Sequence, residues 1–273
     1  MNDNALSGDI ARARNNGPVP PVFGEFTDVR CAFDIAGKEP LLAIDQISYE
    51  LEKGRLVSLL GPSGCGKTTF LRIAAGLTKA TGGSVKINGV EVTEPHTEFS
   101  FMFQTPNLMP WRSVFDNIMF PMEILKRKNS QAKIRAMELL DLVGLSGFES
   151  VWPDQLSGGM KQRVALCRAL IHEPNLMLMD EPFGALDELT RMEMHDLLLN
   201  IHNVSKTTIM FVTHSISEAV YLSDTVLVFS KRPAVIADLI DIDLPYPRTP
   251  EIRYSQRFTE LEHRAGVALG ISK

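Results

Sequence analysis

Two stretches of this chain join glycine to residues that bind anions. The first, GPSGCGKT from Gly61 to Thr68, fits the spacing G-x-x-x-x-G-K-[ST]. Its glycines permit a loop whose N–H groups converge on a phosphate. Lys67 supplies a point charge to β/γ-phosphates, and the Thr68 hydroxyl can ligate Mg²⁺. The second, LSGGMKQR from Leu156 to Arg163, is a Ser-Gly-Gly turn opening a helix. A helix N-terminus is itself an anion site. Each glycine weakens a helix start by about 1 kcal/mol, so Ser157 reads as a cap but Gly158 and Gly159 ask for another reason, such as close approach of a phosphate. Shortly after comes LMLMDE, which puts Asp180 and Glu181 at the end of an apolar run. Open α/β sheets place ligands at that end of their strands. Asp180 can hold Mg²⁺ through water, and Glu181 can polarise an attacking water. Alone, an acidic pair after a strand is a solvated turn; beside a phosphate loop it reads as metal ligand and base.

Strands and helices alternate around these motifs. Apolar runs predict strands at 26–33, 41–51, 55–60, 84–87, 99–103, 176–179, 208–212 and 226–229. Helical spacing appears at 67–76 and over 113–143, where Ile134, Met137, Leu140 and Leu142 lie near one stripe. It appears again at 159–172, from Ser215, and over 251–270. The alternation predicts an α/β fold with a mostly parallel sheet. At 273 residues the chain is long enough for one large domain or a core with a subdomain. A net charge of −5 argues against nucleic acid as main partner. No apolar run approaches the ~20 residues that span a bilayer. The first 24 residues have no apolar signal region and read as a disordered lead-in. Cys31, Cys65 and Cys167 lack metal-ligand spacing and fit a reducing compartment.

Taken in order, GPSGCGKTT, Gln104, LSGGMKQR, LMLMDEP, Ala185-Leu186-Asp187 and His214 resemble the ATP-binding-cassette ATPases. The resemblance runs from about Phe26 to Arg248, and LSGGMKQR is its most specific element. It implies a P-loop NTPase (RecA-like) core within residues 25–250, an N-terminal antiparallel β subdomain, an inserted helical subdomain at about 105–156 and a helical tail over 251–273. It implies that ATP and Mg²⁺ are bound. Gly61, Pro62, Ser63, Gly64, Cys65, Gly66, Lys67, Thr68 and Thr69 would cradle the nucleotide, and Thr68, Asp180 and Gln104 would surround the metal. Gln104 resembles the residue that touches Mg²⁺ and water, Glu181 the base, and His214 the switch histidine at the γ-phosphate. Phe33 matches the adenine-stacking aromatic by position and type, and equally suits a core residue of its strand. Asp187 resembles a residue of the subunit interface. In this family two cassettes pack head to tail, so Ser157, Gly158 and Gly159 of one chain would close on the γ-phosphate held by Lys67 of a second, expected to be an identical copy.

The stretch TPNLMPWRSVFDNI, with Leu108-Met109-Pro110-Trp111, resembles the importer branch serving nitrate, sulfonate and taurine, as do EAVYLSD, SKRP and LPYPR. The partners implied are integral membrane permease subunits, met through the loop after Gln104 and the helical subdomain, and a periplasmic or extracellular solute-binding protein. The implied location is peripheral, on the cytoplasmic face of the inner membrane. Trp111, on a predicted loop, reads as a partner anchor or as a core anchor of the helical part. FSFMFQ and CRAL depart from the family's usual sequence. A cassette acting on nucleic acid would be expected to bring a second cassette, a coiled coil or a basic tail. A small-molecule kinase would leave LSGGMKQR and His214 unexplained, and a binding-only subunit would show damage at Lys67 or Glu181.

Overall fold

A computed structural model describes residues 21–37 and 39–271. The chain opens with β1 (Val22–Phe33), β2 (Leu41–Glu52) and β3 (Leu56–Leu60), then α1 (Lys67–Ala74) after the Gly-rich loop. Next come β4 (Gly82–Ile87), β5 (Val90–Glu91) and β6 (Phe99–Met102). A helical part follows: α2 (Val114–Ile124), α3 (Ser130–Leu142) and α4 (Gly158–Leu170). The remainder alternates as β7 (Leu176–Asp180), α5 (Glu188–Ser205), β8 (Thr208–Thr213), α6 (Ile216–Leu222), β9 (Thr225–Phe229), β10 (Ile236–Asp241) and α7 (Gln256–Ala268).

The central sheet runs β10-β9-β3-β8-β7-β6, parallel throughout except for the antiparallel β10 edge. β3 and β8 are buried at every position, as expected of parallel strands covered on both faces. Their side chains alternate between two cores. Leu56, Leu60, Met177, Met179, Ile209, Phe211, Val226 and Val228 pack with the helical part on one face. Val57, Leu59, Leu176, Leu178, Met210, Val212, Leu227 and Phe229 pack on the other with α1 and an antiparallel sheet ordered β2-β1-β4-β5. The rings of Phe26, Phe70 and Phe229 join these three layers, with centroids 4.8 and 5.6 Å apart. Among the described residues no helix is long and apolar enough to cross a membrane.

Several expectations change. β1 begins at Val22, so the end of the predicted lead-in belongs to a sheet; residues 1–20 lie outside the described residues. The helical pattern over 113–143 is two helices, because Asn129 caps α3 by accepting from the Ala132 N–H at 2.9 Å. The stripe of α3 is also different. Ala132, Ala136, Leu139, Leu140 and Val143 are buried, while Ile134, Met137 and Leu142 are about half exposed. Two alanines make the close contact, and small side chains do not register as a hydrophobic stripe. The strand expected over 99–103 is the sheet's edge and only half buried, with Phe103 exposed. α5 was not foreseen, because His195 and His202 sit on its buried face and interrupt the apolar stripe. Nor was β10, whose alternate acidic residues look like a loop. In place of a single C-terminal helix, a 3₁₀ turn, Pro250–Tyr254, precedes α7.

The helical part grips the loop that follows β6. Asn117 on α2 is fully buried; its amide accepts from the Met109 N–H at 2.8 Å and donates to the carbonyls of Met109, Arg112 and Ser113 at 3.0–3.1 Å. This satisfies both ends of the amide and fixes Pro110 and Trp111 outward, Trp111 being 71% exposed. The core-anchor reading of Trp111 is therefore ruled out. Asn117→Ala leaves buried backbone groups unpaired and is expected to lower stability by about 1–3 kcal/mol in urea unfolding; an unchanged midpoint would contradict this account of the loop.

Candidate functional site

The Gly61–Thr68 loop runs from β3 into α1, the strand–loop–helix arrangement that its motif requires. Gly66 has φ +129°, and a Cβ there would lie 3.1 Å from the Ala43 carbonyl oxygen, so only glycine fits. The Lys67 side chain folds back over the loop: its ammonium donates to the carbonyls of Gly61 at 2.6 Å and Pro62 at 3.0 Å. A cation is thus held against the loop's own carbonyls.

A cavity of about 250 Å³ lies over this loop. Ser63, Gly64, Cys65, Gly66, Lys67, Thr68 and Thr69 line it, together with Phe33 and Glu181. Phe33 is 42% exposed and is not a core residue of β1. Gly61 and Pro62 stand behind the lining, where their carbonyls hold Lys67. Arg232, which lies in none of the phosphate or metal motifs, also lines the cavity. Its guanidinium donates to the Gly64 carbonyl at 2.5 Å from one terminal nitrogen and 3.2 Å from Nε. The available signal was position: Arg232 follows β9, at the strand end where open α/β sheets bind ligands.

Thr68 Oγ1 donates to Asp180 Oδ1 at 2.8 Å. Burial pushes the Asp180 carboxyl above the usual carboxylate range, against the opposing effect of the Thr68 hydrogen bond. The pair offers two hard oxygen donors, which suits Mg²⁺, an ion that keeps water and phosphate among its ligands and seldom uses an all-protein cage. No cluster of three His, Cys, Asp or Glu side chains able to hold a metal occurs among the described residues.

Glu181 follows directly, with φ +46°. That left-handed backbone is uncommon for a residue with a side chain and costs of order 1 kcal/mol. The turn is held by the Glu181 N–H, which donates to the Val212 carbonyl at 3.1 Å, and by the Gly184 N–H, which donates back to the Glu181 carbonyl at 3.1 Å. The side chain meets His214, whose Nδ1 lies 3.1 Å from Glu181 Oε2. A carboxylate only accepts, so Nδ1 donates. Gln104 borders the same spot: a Cβ on Gly184 would stand 3.4 Å from Gln104 Nε2 and 3.8 Å from Glu181 Oε2.

Ser157 caps α4, accepting from the Met160 N–H at 3.3 Å. Gly159 faces Thr190, whose methyl carbon would stand 2.6 Å from a Cβ. Ser157 and Gly159 line a second cavity of about 330 Å³ with Gly144, Phe148, Arg163 and Glu193. The two cavities share no residue. Gly158 is exposed beside them. α4 nevertheless reaches the first site by its other residues. Gln162 donates to the Pro182 carbonyl, next to Glu181. Arg168 donates to the carbonyls of Pro106 at 2.6 Å and Asn107 at 2.8 Å, in the loop after Gln104. The departure at CRAL is a core position: Cys167 is fully buried, and burial pushes its thiol up to about 12. Asp187 caps α5, accepting from the Thr190 N–H at 3.0 Å and from the Thr190 hydroxyl at 2.7 Å, and these bonds lower its pKa.

A Gly-rich loop with a lysine folded over it at a strand end, a paired acid and threonine, and a second helix opening on Ser-Gly-Gly are the parts of a nucleotide-hydrolysing α/β protein. Residues 44–184 match the ABC transporter family. The chain is 43% identical over 221 residues to the aliphatic sulfonates import ATP-binding protein SsuB of Bacillus cereus, covering 81% of this chain and 86% of that protein. It is 48% identical over 207 residues to an uncharacterized ABC transporter ATP-binding protein of Methanocaldococcus jannaschii, covering 76% and 77%. Among solved structures it is similar to a dimeric ATP-binding cassette in a post-hydrolysis state bound to ADP and Pi: TM-score 0.71, 29% identity, covering 81% of this chain and all of that one. The chain belongs to the ABC transporter family and is an ATPase of that family.

The burial of the Asp180 carboxyl can be tested in the nucleotide-free protein. Its folded pKa is raised, so the fold is favoured at low pH and loses that contribution as pH rises through the folded value. At neutral pH the desolvated charge is a cost. Asp180→Asn removes the charge and keeps an acceptor for Thr68, so it is expected to raise the melting temperature of the nucleotide-free protein while weakening Mg²⁺-dependent ATP binding. Calorimetry and nucleotide titration check both; a lower melting temperature would contradict the first part.

Proposed function

We propose that the chain is the ATP-hydrolysing subunit of an importer for a small solute of the sulfonate, nitrate or taurine kind, and that it acts as a pair of copies beneath separate membrane permease subunits, supplied by a solute-binding protein. The observation that carries the reading is the division of the motifs between two cavities without a common residue. A second phosphate-binding helix start has no ligand of its own within one chain. It acquires one when Ser157, Gly158 and Gly159 of one copy face the γ-phosphate over Lys67 of another. The name of the Bacillus relative supports import and the sulfonate class. The dimeric state of the similar cassette supports the pairing.

In this reading the loop N–H groups and Lys67 bind the phosphates, and Phe33 stacks on the adenine. Thr68, Asp180 and Gln104 would hold Mg²⁺, which would supply positive charge to offset that of the phosphates. Glu181 accepts a proton from the attacking water. His214 holds the Glu181 carboxylate in place and touches the γ-phosphate. Asp187, on the segment between Glu181 and α5, meets the second copy. Trp111, fixed outward by Asn117, offers an aromatic anchor to a permease segment.

Glu181→Gln keeps ATP binding and is expected to lower turnover by at least about a hundredfold, read by nucleotide binding and phosphate release; near-normal turnover would remove Glu181 as the base. Because half of each site comes from another chain, specific activity is expected to rise with protein concentration. A flat activity profile in a verified monomer would overturn the shared site.

A further inference from the structure

A chain of buried polar contacts links the C-terminal segment to the turn carrying His214. Arg253, in the 3₁₀ turn, has a terminal nitrogen 3.2 Å from His195 Nδ1. His195 Nε2 lies 2.6 Å from Glu218 Oε1. The Thr213 hydroxyl donates to Glu218 Oε2. The Ser215 N–H donates to that same Thr213 oxygen at 2.9 Å, and the Glu218 N–H donates to the Ser215 hydroxyl at 3.3 Å. Of the two neighbours of His214, Thr213 is tied directly to the Glu218 carboxylate, and Ser215 is tied to the Thr213 hydroxyl and to the Glu218 backbone. His195, Glu218 and Thr213 are all at least 90% buried, whereas His214 itself is exposed. Phe183 closes over the His195 ring at 5.7 Å, two residues beyond Glu181. Arg253 stands 3.6 Å over the Tyr221 ring and also donates to Ser217.

The donor count fixes the direction of this chain. A guanidinium has only donors, so His195 Nδ1 must accept. A carboxylate accepts only, so Nε2 carries the hydrogen toward Glu218. The arrangement therefore needs a neutral imidazole of one tautomer. With that tautomer set, Glu218 has a donor on each oxygen and the Thr213–Ser215 turn has a single position.

We infer that Arg253 and His195 are positioning residues for hydrolysis, which hold His214 against Glu181 by way of Glu218 and Thr213. The C-terminal segment is then part of the machinery that sets turnover. The inference rests on the assignment of His214 and Glu181 proposed above. It differs from a general stabilising role because it predicts a loss of turnover without a loss of ATP affinity, and it names a tautomer.

The test uses the full chain. With ¹⁵N-histidine labelling, His195 is assigned by the signal that disappears in His195→Gln. Wild type is expected to show only the neutral Nε2–H form, and Arg253→Met, which keeps an apolar stem over Tyr221, to show a mixture. An imidazolium or an Nδ1–H tautomer in wild type would overturn the inference before any kinetics. In ATPase assays, Arg253→Met and His195→Leu are expected to lower kcat about tenfold at unchanged KM. His195→Gln, whose amide supplies one donor and one acceptor, is expected to restore it. Equal losses in His195→Gln and His195→Leu would overturn it. If His195→Leu fails to fold, Arg253→Met and the wild-type spectrum decide. His214→Ala separates the two levels: normal turnover there removes the His214 assignment, whereas loss there with normal turnover in Arg253→Met and His195→Leu removes only the relay.

Discussion

The rest of the structure depends on the absence of space around the 61–68 loop. A Cβ at Gly61 would stand 3.0 Å from the carbonyl oxygen and the Cβ of Phe229, and 3.1 Å from Cys65 Sγ. One at Gly66 would crowd Ala43, Ile44 and Ala234. These neighbours come from β2, from β9 and from the segment joining β9 to β10. That segment is tied across the seam: Ala234 donates to the Ala43 carbonyl at 3.0 Å, and Asp45 donates to the Ala234 carbonyl at 2.9 Å. The phosphate loop is thus the joint between the two sheets, and its backbone shape is enforced by both. Phe33 at the end of β1 and Arg232 just after β9 reach the cavity mouth because their elements meet at this joint.

Charge at the site is managed mostly by backbone. Lys67 rests on two carbonyls, Glu181 sits in a turn set by two backbone hydrogen bonds, and Arg232 caps the Gly64 carbonyl. Thr68 with Asp180 and His214 with Glu181 are side-chain pairs within this site, and the Lys67 ammonium also lies 4.0 Å from Cys65 Sγ. Backbone carbonyls cannot drift on rotamers, so they hold the Lys67 and Arg232 donors in place, a form of the preorganisation that electrostatic catalysis needs.

The sequence carried the parts whose geometry is local. Each of Gly61–Thr68, Ser157–Gly159 and Asp180–Glu181 is read correctly as a loop, a capped helix start and a strand end, because spacing and residue type decide such features over a few residues. What was not legible depends on distant chain. Arg232 enters the cavity only because β9 pairs with β3. His195 looks like an interruption in a helix until α5 packs its ring between Phe183 and Tyr221. The buried stripe of α3 is not legible because Ala132 and Ala136 bury well yet are only weakly apolar. The left-handed backbone of Glu181 leaves no trace in its residue type.

Arg168 gives the helical part a mechanical property. It fastens the last turn of α4 to the carbonyls of Pro106 and Asn107, while Asn117 fastens the next few residues of the same loop to α2. α4 is an uninterrupted helix of 13 residues, a rod of about 20 Å. Ser157 stands at its far end. Both anchors of the loop near Trp111 sit on packed helices, so the exposed loop and the Ser-Gly-Gly turn are joined by one stiff helix, fastened to the loop at Arg168 and opening at Ser157.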